Sequence, residues 1–313
     1  MTFMTNNPCF RKNVMPATRK PLDGLAMSLM LMLCLCWGLQ QVAIKVAAPS
    51  ISPILQNGLR SAVAAVLVSG LMWWRGSKFS LTDGSFWPGL ATGLLFAGEF
   101  LCVSIGLNYT TASHMSVFVY TAPIFTVLGL HWLVPGERFG VTQWLGVIAA
   151  FAGITVAFAG GFEAGAGFSR TLIGDALGVL GAVFWAATTI MIKRSVLTNA
   201  SPSMTLWYQL AAAALTLPLV ALVSGQTAVA PLSGIMWVSL VFQSLIVAFG
   251  SFLAWFWMLR RYLASRLTVF SFLTPLFGVS FGVLLLDDPI GLPFVFGALL
   301  VLSGIVLVNW QGK

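Results

Sequence analysis

The chain has 313 residues, 58% of them hydrophobic and only 8% charged, with a mean hydropathy of +0.94. That composition belongs to a chain whose solvent is a bilayer, and it excludes large soluble domains. Sixteen Lys and Arg against eight Asp and Glu give a formal charge of +8. In a soluble protein such a charge would suggest nucleic acid, so its placement along the chain decides.

A spanning helix needs about 20 apolar residues. Apolar runs broken by charge, Pro or Gly predict ten spans, at 24–47, 53–74, 86–108, 112–134, 140–159, 172–192, 202–224, 233–258, 265–286 and 289–309. The longest joining loop is 160–171, GGFEAGAGFSRT, which leaves nothing for an extramembrane domain. The expected organisation is a tail over 1–23, a first five-helix unit over 24–159, the loop 160–171, a second unit over 172–309 and a tail over 310–313. The basic N-terminal stretch followed by apolar residues imitates a signal peptide, but the run is long for one, so an uncleaved first helix is expected. Cys9 falls in the tail, whereas Cys34, Cys36 and Cys102 fall inside spans, so neither a disulfide nor a cysteine zinc site is expected.

Counting Lys and Arg in alternate loops puts Arg11, Lys12, Arg19, Lys20, Arg75, Lys78, Arg138, Lys193, Arg194, Arg260, Arg261, Arg266 and Lys313 on one side. The other side has Arg170 alone, and Lys45 and Arg60 lie within spans. The positive-inside rule then places both termini in the cytoplasm and the acids Glu163, Asp175, Asp287 and Asp288 at or near the outer face. The basic charge records topology rather than a nucleic-acid partner.

The chain repeats after five spans. A shift of 152 aligns Ala112-Ser113 with Ala264-Ser265, Ser116 with Thr268, Tyr120 with Phe272 and Pro123 with Pro275. A shift of 151 aligns Glu137 with Asp288, Gly146 with Gly297 and Gly153 with Gly304. Trp37 precedes Lys45 by eight residues, as Trp185 precedes Lys193. Five is an odd number, so the second unit enters the membrane in the opposite orientation. The fold class expected is an all-α membrane protein of ten helices in a 5+5 inverted repeat, the architecture of alternating-access carriers.

A polar layer is expected near mid-membrane. At 1.5 Å per residue, Gln40 and Arg60 fall about 10 Å below the outer ends of their spans, Tyr120 about 12 Å, Glu99 about 13 Å and Trp37 about 15 Å. Gln243, Ser244 and Thr274 fall about 14 to 17 Å from the same face, and Trp185 near 20 Å. These nine residues are the candidate substrate wall, and each has a plainer reading. Trp37 and Trp185 serve equally as packing residues, while Gln40 and Gln41 serve as bonds between helices. The stripes Ser113, Ser116, Tyr120 and Ser265, Thr268, Ser271 suit interhelical bonding as well as a cavity. Lys45 is placed to snorkel. Arg60 suits a substrate carboxylate or a fixed pair with Glu99, the one acid deep in a span. His114 and His131 fall near the interfaces. Glu137 and Asp288 suit loop and helix-end structure. Pro123 and Pro275 fall near the middles of corresponding helices, where a bend serves either as a static kink or as a gating hinge. Gly146, Gly153, Gly297 and Gly304 favour close packing, within the bundle or across a dimer.

The stretches CWGLQQVAIKVA, GLNYTTASHMSVFVYTAPIFTVLGLHWLVPGERFGVTQWLGVIAAFAGI and RYLASRLTVFSFLTPLFGVSFGVLLLDDPIGLPFVFGALLVLSGI resemble the drug/metabolite transporter superfamily, specifically its EamA-type ten-helix transporters. Pro135 before Gly136-Glu137 and the pair Asp287-Asp288 depart from the usual pattern. The resemblance implies a substrate cavity formed by the first four helices of each unit, with the fifth and tenth peripheral. Within the family the chain looks like exporters of amino acids and metabolites, those of aromatic amino acids of the YddG type among them.

No P-loop, HExxH or GxSxG occurs, so neither nucleotide-driven pumping nor an enzyme is expected, and no cofactor or metal. Trp, Tyr, amide and hydroxyl groups with one acid and one Arg suit a small amphipathic zwitterion, so amino acids lead as substrate, with protons as a candidate coupling ion. Efflux of lipophilic drugs or organic cations is the alternative, and a channel or receptor is more remote. The partners expected are the small-molecule substrate and the lipid bilayer of a bacterial inner membrane, around a monomer or weak homodimer.

Overall fold

A computed structural model describes residues 20–76, 83–109, 115, 118–134, 136–157, 168–231, 233–286 and 292–310. The predicted roles of Ser113, His114, Ser116, Glu163, Asp287 and Asp288 fall outside these residues, as do the side chains of Gln41, Lys45 and Arg170. Helices account for the regular structure of the described residues: α1 (Gly24–Ala47), α2 (Pro53–Trp74), α3 (Phe86–Gly106), α4 (Ala122–Leu133), α5 (Val141–Ala157), α6 (Phe168–Arg194), α7 (Pro202–Val223), α8 (Gly234–Arg261), α9 (Ala264–Phe270), α10 (Leu273–Leu286) and α11 (Leu292–Asn309). Among the described residues, six are long and apolar enough to cross a bilayer, within α1, α2, α3, α6, α7 and α8. Helix α6 begins at Phe168, inside the stretch expected to be loop.

Local chemistry sets the starts. The Asp23 carboxylate accepts from the N–H of Ala26 at 2.9 Å and caps α1. Helices α2 and α7 open identically: Ser52 and Ser201 accept from the N–H three residues on, and Pro53 and Pro202 follow, where a missing N–H costs nothing. Trp73, Trp74, Trp87, Trp132 and Trp310 are exposed at helix ends near the basic loops, as an interfacial aromatic belt requires.

The expected mid-helix placement of the two prolines needs correction. Neither Pro123 nor Pro275 kinks a continuous helix. Tyr120 and Thr121 form a turn, and Ala122 with Pro123 starts α4. Ser271 and Phe272 form the corresponding turn between α9 and α10, and Pro275 lies in the first turn of α10. A proline strips the carbonyl four residues earlier of its donor. Here that carbonyl belongs to Ser271, which accepts instead from the N–H of Thr274 at 3.0 Å. The hydroxyls of Thr121 and Ser271 donate to the carbonyls of Phe118 and Thr268 at 2.6 Å each and fix the turns. Both prolines are buried.

Packing crosses between the two halves throughout. Helix α2 lies against α7, α3 against α6 and α7, α5 against α11, α1 against α10, and α4 against α6. The α5–α11 pair runs antiparallel: Gly146 meets Gly304 and Val308, and Gly153 meets Gly297 and Val301. A Cβ added at Gly153 would stand 2.6 Å from the Gly297 carbonyl oxygen, and one at Gly304 2.5 Å from that of Gly146. The glycines are therefore spent on closing this seam inside the chain. The α2–α7 pair also runs antiparallel, with Gly58 against Pro218 and the Trp207 indole N–H donating to Ser69 at 2.9 Å.

Helix α8 is irregular. Its middle, Phe242–Ser251, is a π-helix, with carbonyls bonded five residues on rather than four. Ser244 and Ser251 donate to the carbonyls of Leu240 and Val247, at 2.8 and 2.6 Å.

Candidate functional site

The polar layer separates into three neighbouring groups. The first belongs to α2 and α3. Arg60 is 2% exposed, and its guanidinium carbon stands 4.7 Å from the centre of the Phe100 ring, a cation–π contact. Its Nε and Nη1 atoms have no hydrogen-bond partner among the described residues, and neither has Oδ1 of Asn57, one turn earlier. The Asn57 amide N–H donates to Ser104 at 3.2 Å. Glu99, next to Phe100 on α3, lies within electrostatic reach of Arg60, yet no ion pair within 4.0 Å joins them among the described residues. The expected alternative of a fixed Arg60–Glu99 bridge is thus not what holds α2 to α3. A buried, charged fork with two unspent donors is costly unless a ligand or water meets it.

The second group is aromatic. Tyr120 and Trp185 meet edge to face with ring centres 5.7 Å apart, and Tyr120 is close to Thr274, whose Oγ1 also has no hydrogen-bond partner among the described residues. Turn residue Tyr120, α6 and α10 thus bring together three of the predicted residues. Trp37 points elsewhere. Its indole N–H donates to Ser251 at 3.0 Å, and its ring packs on Trp255 and Phe252, with centres 5.7 and 6.5 Å away. From Phe252 the contacts continue through Phe96 and Phe100 to Arg60. Trp37 is therefore seated by the π-helical segment and joined to the Arg60 group through rings.

The third group bonds α2 to α8. The Gln243 amide N–H donates to Gln56 Oε1 at 3.1 Å and to Ser239 at 3.2 Å, and Gln56 donates to the Ile51 carbonyl at 2.8 Å. Ser239 in turn donates to the carbonyl of Ala43 on α1. Gln243 and Gln56 are fully buried. Gln243 thus makes the interhelical bond that was its plainer reading, Ser244 spends its hydroxyl on its own helix, and Gln40 is buried on α1 at 6% exposure. Sequence reading missed Gln56, Asn57, Phe100 and Ser251. Gln56, Asn57, Arg60 and Ser61 form one polar stripe at helical spacing on α2, and that signal would have found two of the four.

Buried polar residues inside a bundle of long apolar helices are the mark of an integral membrane protein. Family comparison states the class: the EamA-like transporter family matches residues 24–159 and again 172–310, and the chain belongs to that family. Among its relatives is YvbV of Bacillus subtilis (strain 168), named an uncharacterized transporter. It is 30% identical over 307 residues, which span 96% of this chain and 94% of that one. A probable amino-acid metabolite efflux pump of Escherichia coli (strain K12) is 25% identical over 91% of this chain and 94% of its own length. A solved crystal structure superposes with a TM-score of 0.77 at 19% identity, covering 91% of this chain and 96% of the other. That likeness fixes the fold alone.

Proposed function

We propose that this transporter exports small amphipathic metabolites, amino acids foremost, across the bacterial inner membrane by alternating access, with both termini in the cytoplasm. Arg60 carries the reading. It is a buried guanidinium with two donor nitrogens unspent, its carbon over the Phe100 ring, near but not bonded to Glu99. A positive fork and an acid within its electrostatic reach but not paired with it suit the two charged groups of an α-amino acid, with Tyr120 and Trp185 as the aromatic wall for its side chain. The named relative in Escherichia coli, an amino-acid metabolite efflux pump, favours the same class. A ten-span 5+5 inverted repeat is the architecture of this proposal. Its support is the double family match together with the antiparallel contacts of α2 with α7 and of α5 with α11. Substrate binding by Trp37, Gln40, Gln243, Ser244 and Thr274, and hinging at the turns before Pro123 and Pro275, belong to it too.

The test is a counterflow panel in proteoliposomes. Phenylalanine, tyrosine and leucine are expected to exchange, phenethylamine, which lacks the carboxylate, is not, and Arg60→Met should abolish amino-acid exchange. Exchange of phenethylamine and lipophilic cations without amino acids would overturn the reading in favour of drug efflux. Comparing Glu99→Gln with wild type, with and without a pH gradient, assigns or removes a coupling role for Glu99.

A further inference from the structure

The end of the molecule that carries the basic loops holds a buried knot which the substrate site does not use. Glu137, in the loop between α4 and α5, is 1% exposed. Its carboxylate accepts from the backbone N–H of Ala264 at 2.9 Å, the N–H of Ser265 at 3.0 Å and the Ser265 hydroxyl at 2.6 Å. Lys193, at the end of α6, places Nζ 3.7 Å from the same carboxylate and donates to the carbonyls of Leu259 and Tyr262. Arg266 stands within electrostatic reach. Every partner of Glu137 in this set comes from the second family match, whereas Glu137 belongs to the first. The same strand of chain continues the tie: Lys20 and Leu263 bond through their backbones, and the Tyr262 hydroxyl donates to both Asp23 oxygens at 3.0 Å.

We infer that Glu137 is a positioning residue of the transport cycle, the bolt that holds the two halves shut at the basic end. The bonds it accepts fix the first residues of α9, and α9 leads directly into the Ser271–Phe272 turn, Thr274 and Pro275. Release of the carboxylate frees α9 and α10 from the α4–α5 loop while leaving the helix pairs α2–α7 and α5–α11 intact. A charged group spent wholly across the boundary between two copies, at a site remote from Arg60, is poorly explained as local loop structure, because Glu137 makes none of these bonds within its own copy. The sequence carries the same residue set once more at the aligned positions, as Lys45, Ala112-Ser113 and Asp288.

This inference rests on the alternating-access reading, and its test needs no substrate, so a wrong substrate class leaves it untouched. Spin labels are placed at Gly140→Cys and Arg260→Cys, exposed positions on the two sides of the knot, in a full-length chain whose four native cysteines are replaced. Distances are measured in lipid nanodiscs. With Glu137 present a short distance should dominate. In Glu137→Ala the ratio of long to short should rise at least about tenfold, the equivalent of about 1.4 kcal/mol. Glu137→Gln, which keeps one acceptor and loses the charge, should fall between. An unchanged distribution in folded, monodisperse Glu137→Ala overturns the proposal. Should that variant not fold, an unchanged distribution in Glu137→Gln overturns it equally.

Discussion

Replacing Gly153 by Val tests whether the glycine seam closes the bundle. The new Cβ would stand 2.6 Å from the Gly297 carbonyl oxygen, 2.7 Å from the Val301 nitrogen and 2.9 Å from the Leu300 Cβ. Ordinary contact begins at 3.4 Å, so α5 and α11 must part by about 0.8 Å, and two of the three obstacles are backbone atoms that cannot rotate aside. Overpacking of this kind costs about 1 to 3 kcal/mol, and the two methyls of Val put this case near the upper end. At about 2 to 4 °C per kcal/mol for large chains, a cost of about 2 to 3 kcal/mol should lower the apparent midpoint by roughly 4 to 12 °C. The assay is thermal unfolding in detergent followed by tryptophan fluorescence, with size-exclusion chromatography alongside. Gly70→Val is the control: it bears the same β-branched cost within a helix, but nothing lies within 4 Å of its Cβ. A midpoint for Gly153→Val within 1 °C of the Gly70→Val control would refute the reasoning. A lost dimer with an unchanged monomer midpoint would instead assign the glycines to an interface between chains.

Three further outcomes follow from particular contacts. The Ala26 N–H, aided by the Tyr262 hydroxyl, holds the Asp23 carboxyl below its ordinary 3.8. Its stabilisation is therefore complete above that value and lost as pH falls through the depressed one, so the stability gap between wild type and Asp23→Asn, followed by unfolding across pH, should persist at neutrality and close at the acid end. Gln56→Leu should destabilise more than Gln243→Leu in the same unfolding assay, since Gln56 both donates to a backbone carbonyl and accepts from Gln243, whereas Gln243 Oε1 has no hydrogen-bond partner to lose. The difference expected is about 0.6 to 1.7 kcal/mol, and the reverse order would contradict the bond assignment. Finally, a double-mutant cycle of Tyr120→Ala and Trp185→Ala, read in stability, should give a coupling of about 0.5 to 1.5 kcal/mol from their edge-to-face contact, with additivity as the contrary result.

The apolar runs carried the long helices plainly, because length and hydropathy are local properties. Other features depend on partners distant in sequence. Pro123 and Pro275 announced that something happens near them, but a missing donor alone does not say whether a helix bends or stops. The hydroxyls of Thr121 and Ser271 supply the turns that end it. Glu137 was legible as a helix-end residue, yet the helix it serves begins 127 residues away in the other copy. The π-helical stretch of α8 has no compositional mark, so the seating of Trp37 on Ser251 was out of reach. Arg60 and Glu99 were legible as a pair of rare intramembrane charges. That they stay apart, with Phe100 under the guanidinium, depends on side-chain placement across α2 and α3.

The α2–α7 seam has the form of an isologous contact folded into one polypeptide. Helices that open with the same Ser-Pro pair cross so that Gly58 meets Pro218 while Trp207 meets Ser69. Counting from those openings, Gly58 and Trp207 hold the same place, as do Ser69 and Pro218. In a dimer of identical half-length chains one residue type would have to serve at both crossings. Covalent linkage lifts that demand, and the chain has used the freedom: one crossing is a tight glycine-on-proline contact, the other a hydrogen bond from an indole. Each side of the molecule can thereby be tuned without dictating the other, and a protein assembled from two like parts acquires two unlike ends.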